Sequence, residues 1–158
     1  MTINVTINGT RKTLTIEPGE KLLDLLRREG YMGVKIGCGM GDCGACAVLL
    51  NGCAVNSCLV FAAKADGGEI VTVEGLERNG RLHPVQQAFL DEGGVQCGYC
   101  TPGMVISAVD LLSRNPHPTE DEIRQGLSGN LCRCTGYVKQ IHAVQRAAAA
   151  MRDGEPDD

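Results

Sequence analysis

Cys38, Cys43, Cys46 and Cys58 fall in one short run, GCGMGDCGACAVLLNGCAVNSC, whose backbone is interleaved with glycine. The first three follow C-x4-C-x2-C, and the fourth comes after eleven intervening residues. This is the plant-type spacing for a two-iron, two-sulfur cluster. A cluster is larger than one metal ion, so a loop must wrap it closely. Gly37, Gly39, Gly41 and Gly44 let the backbone take positive φ and bring N–H groups to the sulfurs. The fourth ligand then arrives on the return strand of a hairpin that turns at Asn51-Gly52. Zinc also takes four thiolates, and stays open on spacing alone, although structural zinc sites usually pair C-x2-C with C-x2-C. A fifth thiol, Cys53, follows the turn and is read as a spare.

A second set, Cys97, Cys100, Cys132 and Cys134, is arranged as C-x2-C and C-x1-C. The run CTPG follows one pair and CTGY the other, so Thr101 and Thr135 are each expected to open a helix. Two helix N-termini aimed at one site favour thiolates and an anionic cluster. Here too zinc remains an alternative.

Nine cysteines in all, an odd number, fit a full disulfide framework badly. The start, MTINVTINGT, has no basic segment followed by an apolar one, and no run approaches the ~20 apolar residues of a membrane span. A cytoplasmic protein with reduced, metal-binding thiols is therefore expected. The formal net charge of -4 argues against nucleic acid.

The pattern predicts an α+β chain in two parts. In the first, alternating Ile3, Val5 and Ile7, the Asn8-Gly9 turn, and Leu14 and Ile16 form a hairpin. EKLLDLLRREG is helical, CAVLL and CAVNS flank the second hairpin, and EIVTVEG is a further strand. In the second, four short helices are expected. They begin near Pro84, with His83 as cap; at Thr101; behind a Thr119–Glu122 capping box; and before Val138. The expected divisions are residues 1–77, 78–152 and a disordered tail, 153–158.

Three segments, VKIGCGMGDCGACAVLLNG, HPVQQAFLDEGGVQCGYCTPGM and LSGNLCRCTGY, resemble the small iron–sulfur subunit of the molybdenum hydroxylases, the xanthine oxidase and aldehyde oxidoreductase superfamily. The resemblance runs from about Ile3 to Ala148. It implies an N-terminal β-grasp ferredoxin-like domain with one [2Fe-2S] cluster on Cys38, Cys43, Cys46 and Cys58. It implies a C-terminal four-helix bundle with a second on Cys97, Cys100, Cys132 and Cys134. It also implies an electron-transfer role in an oxidoreductase, with no substrate site on this chain. The molybdopterin would belong to a large partner subunit and FAD to a medium one, in a dimer of heterotrimers. Gln96 and Cys134 match the residues that contact the pterin. Met40 and Ala47 depart from the family pattern without touching ligand identity.

Other residues have plainer readings. His117 and His142 are surface or packing residues. Tyr99 and Tyr137 pack beside ligands, and Arg133 either offsets cluster charge or meets a partner. Two competing functions are a freestanding two-cluster ferredoxin and a zinc-stabilised interaction module. Co-purification with a large subunit separates the first, and iron content the second.

Overall fold

The computed structural model describes residues 1–153, so the expected tail beyond Asp153 lies outside the described residues. Strands β1 (Thr2–Ile7) and β2 (Thr10–Thr15) pair antiparallel around Asn8-Gly9, both with positive φ. Helix α1 (Leu22–Arg28) follows, then a long loop with the first cysteines. Strands β3 (Ala47–Leu50) and β4 (Cys53–Asn56) form the second hairpin, again on a positive-φ Asn-Gly pair. Strand β5 (Glu69–Val71) completes a mixed sheet in the order β2-β1-β5-β3-β4, with β1 and β5 parallel. The expected EIVTVEG strand is shorter than the pattern suggests, because Val73–Leu76 turns into a 3-10 helix.

Four helices follow: α2 (Pro84–Asp91), α3 (Thr101–Arg114), α4 (Glu120–Gly126) and α5 (Val138–Arg152). Their starts are chemically marked. His83 Nδ1 accepts from the Val85 N–H (3.2 Å), and the Gln86 side chain accepts from the His83 N–H (2.9 Å), a capping box ahead of Pro84. Thr119 and Glu122 cap α4 in the same reciprocal way.

Strand β3 serves two cores. Val48 faces the first, with Ile3, Val5, Ile7, Ile70 and the α1 leucines. Its neighbours Ala47 and Leu49 face the second, with Met104, Ala108, Phe89 and Val144 from the helices. The period of two along a strand produces this division. One face of the sheet is covered by α1, and β3 carries α3 on the other.

Candidate metal centres

In the first set, the loop wraps back on its own sulfurs. The N–H groups of Met40 and Asp42 point to Cys38 Sγ at 3.4 and 3.2 Å, and the Cys38 N–H points to Cys43 Sγ at 3.3 Å. The Met40 N–H, helped by those of Cys43 and Asp42, holds the Cys38 thiol down at about 7. Gly39, Gly41 and Gly44 take positive φ as expected, but Gly37 does not. Gly37 is required for closeness instead: a Cβ there would lie 2.4 Å from Cys43 Sγ. Cys46 and Cys58 are buried and adjacent, and burial, then the Cys46 thiol beside it, pushes Cys58 up to about 11. Ser57 Oγ donates to the Cys46 carbonyl (2.7 Å), and Asn56 Nδ2 donates to the Gly41 carbonyl (2.9 Å), fixing the loop to the return strand.

In the second set, Cys97 Sγ and Cys134 Sγ stand 3.6 Å apart at the surface. Cys100 and Cys132 form a more buried pair. Burial first, then Cys132, pushes Cys100 up to about 12. Burial also acts to raise Cys132, but the Thr135 hydroxyl and the N–H groups of Cys134 and Thr135 outweigh it and hold Cys132 at about 7. The Cys97 thiol raises Cys134. Helix α3 begins at Thr101 with Cys100 as its cap, as the sequence predicts. The other helix does not begin at Thr135. Gly136 and Tyr137 turn through positive φ, and α5 starts only at Val138. One helix N-terminus therefore abuts the set directly, and a braced turn supplies the other side, with the Tyr137 hydroxyl accepting from the Cys132 N–H (2.7 Å).

Both sets thus offer two pairs of thiols: Cys38 with Cys43, Cys46 with Cys58, Cys97 with Cys134, and Cys100 with Cys132. This donor set fits a two-iron cluster, in which each tetrahedral iron takes two thiolates beside its two bridging sulfides. Among the described residues no group of three or more His, Cys, Asp and Glu side chains is placed to hold a single ion. Cys53 is exposed at the turn end of β4, opposite Leu50, while the ligand end of that hairpin is the Ala47–Asn56 row. Gln96 and Arg133 are exposed beside Cys97 and between Cys132 and Cys134.

The two ligand loops touch. The Leu131 N–H donates to the Cys43 carbonyl (2.9 Å), Asn130 Nδ2 to the Gly44 carbonyl (3.2 Å), and the Tyr99 hydroxyl to the Ile36 carbonyl (2.5 Å). The joint is tight enough to exclude side chains: a Cβ on Gly44 would lie 2.4 Å from the Gly129 oxygen, and one on Gly103 only 2.1 Å from the Gly44 oxygen. Ser57, Asn130 and Gln140, all buried, are polar residues of the site to which the cysteine spacing does not point. For Gln140 a signal existed, since it lies on the buried stripe with Ala143, Val144 and Ala147 at helical spacing.

The family described as 2Fe-2S iron-sulfur cluster binding domain matches residues 5–80, and the [2Fe-2S] binding domain family matches residues 72–145. The nicotinate dehydrogenase small FeS subunit of Eubacterium barkeri is 51% identical over 149 residues, 94% of each chain. The xanthine dehydrogenase iron-sulfur-binding subunit of Escherichia coli O157:H7 is 49% identical over 146 residues, 91% of this chain and 92% of that one. A chain of quinoline 2-oxidoreductase from Pseudomonas putida 86 superposes with a TM-score of 0.93 at 45% identity, covering 99% of this chain and 98% of that one. Paired thiols in two sets, a cluster-binding family on each half, and relatives about half identical along nearly their whole length lead to one assignment: the chain belongs to the small iron–sulfur subunits of the molybdenum hydroxylases, and carries two [2Fe-2S] clusters.

Proposed function

We propose that this chain is the electron-transfer subunit of a molybdenum hydroxylase, and carries electrons from a molybdopterin centre in a large partner subunit towards a flavin subunit. The observation that carries this reading is the joint between the ligand loops. Leu131, next to Cys132, is hydrogen-bonded to the main chain of Cys43, so one backbone contact separates the two ligand sets. Bound to those thiols, the clusters supply two one-electron carriers in series. The chain's own residues set the spacing between them, through Gly44, Gly103 and Asn130, and shield Cys46 and Cys58 from water.

The remaining assignments belong to this proposal. Cys38, Cys43, Cys46 and Cys58 hold one cluster, and Cys97, Cys100, Cys132 and Cys134 the other. The division lies at residues 77/78, between a β-grasp ferredoxin-like half and a four-helix bundle; the mixed sheet crossed by α1 and the mutual packing of α2 to α5 support it. Gln96 and Cys134, exposed on the helical half, face the pterin. The complex is a cytoplasmic dimer of heterotrimers with FAD on the medium subunit. No helix among the described residues is long and apolar enough to cross a membrane.

The test is electron paramagnetic resonance on the dithionite-reduced complex with metal analysis. Two distinct signals totalling about two spins per chain are expected for two two-iron clusters. Zinc in place of iron, or one signal only, overturns the assignment. Isolation of the chain without a molybdopterin protein would restore the freestanding ferredoxin.

A further inference from the structure

Two polar groups behind the second cysteine set are hard to explain by folding alone. The Thr101 hydroxyl oxygen is buried and has no hydrogen-bond partner, which is unfavourable for an ordinary buried hydroxyl. Thr101 directly follows Cys100 at the start of α3, so its unpartnered hydroxyl sits beside that cysteine in the chain. Gln140 is wholly buried on the core stripe of α5, where an apolar residue would pack without desolvating an amide.

Gln140 bridges the site from behind. Its Nε2 donates to the Gly94 carbonyl (3.3 Å) and lies 3.9 Å from Cys100 Sγ. Its Oε1 lies 2.8 Å from Thr135 Oγ1, which in turn lies 3.1 Å from Cys132 Sγ. Thr135 thus has one proton and two acceptors, the Gln140 amide oxygen and a ligand sulfur. Thr135 and Gln140 reach Cys132 and Cys100, the less exposed pair, and Thr101 adjoins Cys100 in the chain; none of these contacts goes to Cys97 or Cys134.

We propose that Thr101, Thr135 and Gln140 are a tuning set: they donate hydrogen bonds to the sulfurs of the Cys100–Cys132 side and raise the reduction potential of the cluster in the helical half. One-electron reduction adds one negative charge to an already anionic centre, with no bond made or broken. Donors aimed at sulfur stabilise the reduced form more than the oxidised one, and in a buried site they do so without competition from water. As charge builds on Cys132, the Thr135 proton turns from the Gln140 oxygen to the sulfur. The unused donor on Thr101 is then explained: its acceptor is sulfur at the bound cluster. This proposal rests on the reading that the Cys97 set holds a two-iron cluster.

The test is a redox titration of the complex with dithionite, following both resonance signals separately. Thr101→Val and Thr135→Val should each keep the iron content and the plant-type signal. Each should move the midpoint of the helical-half signal alone to a more negative potential. A tenfold change in the reduction equilibrium, about 59 mV for one electron, is the expected size. Thr101→Ser should stay near wild type. Thr101→Ala replaces Thr101→Val if the larger side chain disturbs assembly. Unmoved midpoints in both the Thr101 and Thr135 variants overturn the proposal. So does loss of iron in Thr101→Val and Thr101→Ala alike, which would make the hydroxyl a requirement for assembly. Absence of iron at the Cys97 set in the wild-type complex would instead defeat the underlying reading.

Discussion

Leu131 and Cys43 are joined main chain to main chain, N–H to carbonyl, across 2.9 Å. The contact holds only because Gly44 and Gly103 keep side chains out of the joint. Gly44 also has a φ of +71°, so Gly44→Ala meets both backbone strain and the Gly129 oxygen. A loss of about 1–3 kcal/mol is expected from the strained residue. Thermal unfolding and iron analysis should show lower stability and fewer iron atoms per chain. Wild-type values for both would mean the loops can part without consequence.

Cys53 should be dispensable. It is exposed at the far end of the β3–β4 hairpin, about three strand residues (~10 Å) from the row that carries the ligands. Cys53→Ser should retain full iron, whereas Cys58→Ser should lose the plant-type resonance. Loss of that resonance in Cys53→Ser would assign the fourth ligand to the wrong residue.

Gln96→Ala should leave both clusters assembled, since its side chain is exposed and is not a ligand. If Gln96 makes the proposed hydrogen bond to the pterin, losing it, worth about 0.5–1.5 kcal/mol, should slow substrate-driven cluster reduction by about two- to twelve-fold. Rapid mixing of the assembled complex with substrate reads this directly. An unchanged rate, where that step limits, would remove Gln96 from the interface.

The α4 cap should make part of the stability acid-sensitive. The Thr119 N–H, then its hydroxyl, lowers the Glu122 carboxyl below its ordinary value. Its contribution is therefore full above the ordinary glutamate range, about pH 4.3, and is lost as pH falls through the lower folded-state value. Unfolding of Glu122→Gln followed from pH 7 down to 3 should show a flatter acid limb than wild type. Thr119→Ala should cost about 0.5–2 kcal/mol at neutral pH. An acid limb of the same slope in Glu122→Gln would remove this carboxylate from the linkage.

The local devices were legible in the sequence because each is written in adjacent residues. The Asn8-Gly9 and Asn51-Gly52 turns, the His83 and Thr119 caps, and the start of α3 at Thr101 all follow the expected positions. The eight paired cysteines were legible for the same reason, as spacing. What adjacent residues do not show is anything set by contact through space, even within one half. The glycine pattern suggests backbone freedom at Gly37, but its constraint is the Cys43 sulfur above it. The CTGY run points to a helix start at Thr135, but Gly136 and Tyr137 first turn through the left-handed region to bring the Tyr137 hydroxyl under the Cys132 N–H. Gln140 gives no local signal of its role, because its partners, Gly94, Cys100 and Thr135, come from three separate segments.

Strand β3, with Val48 turned one way and Ala47 and Leu49 the other, also fixes an order of events during synthesis. The N-terminal half leaves the ribosome first and can close Val48 against α1 at once. Ala47 and Leu49 must then face water until Met104 and Ala108 of α3 have been made. For that interval the nascent chain displays a small apolar floor beside an open thiol loop. The thiols of Cys38, Cys43, Cys46 and Cys58 are all in the chain by then. The joint that sets the distance between the clusters closes only after Leu131 emerges.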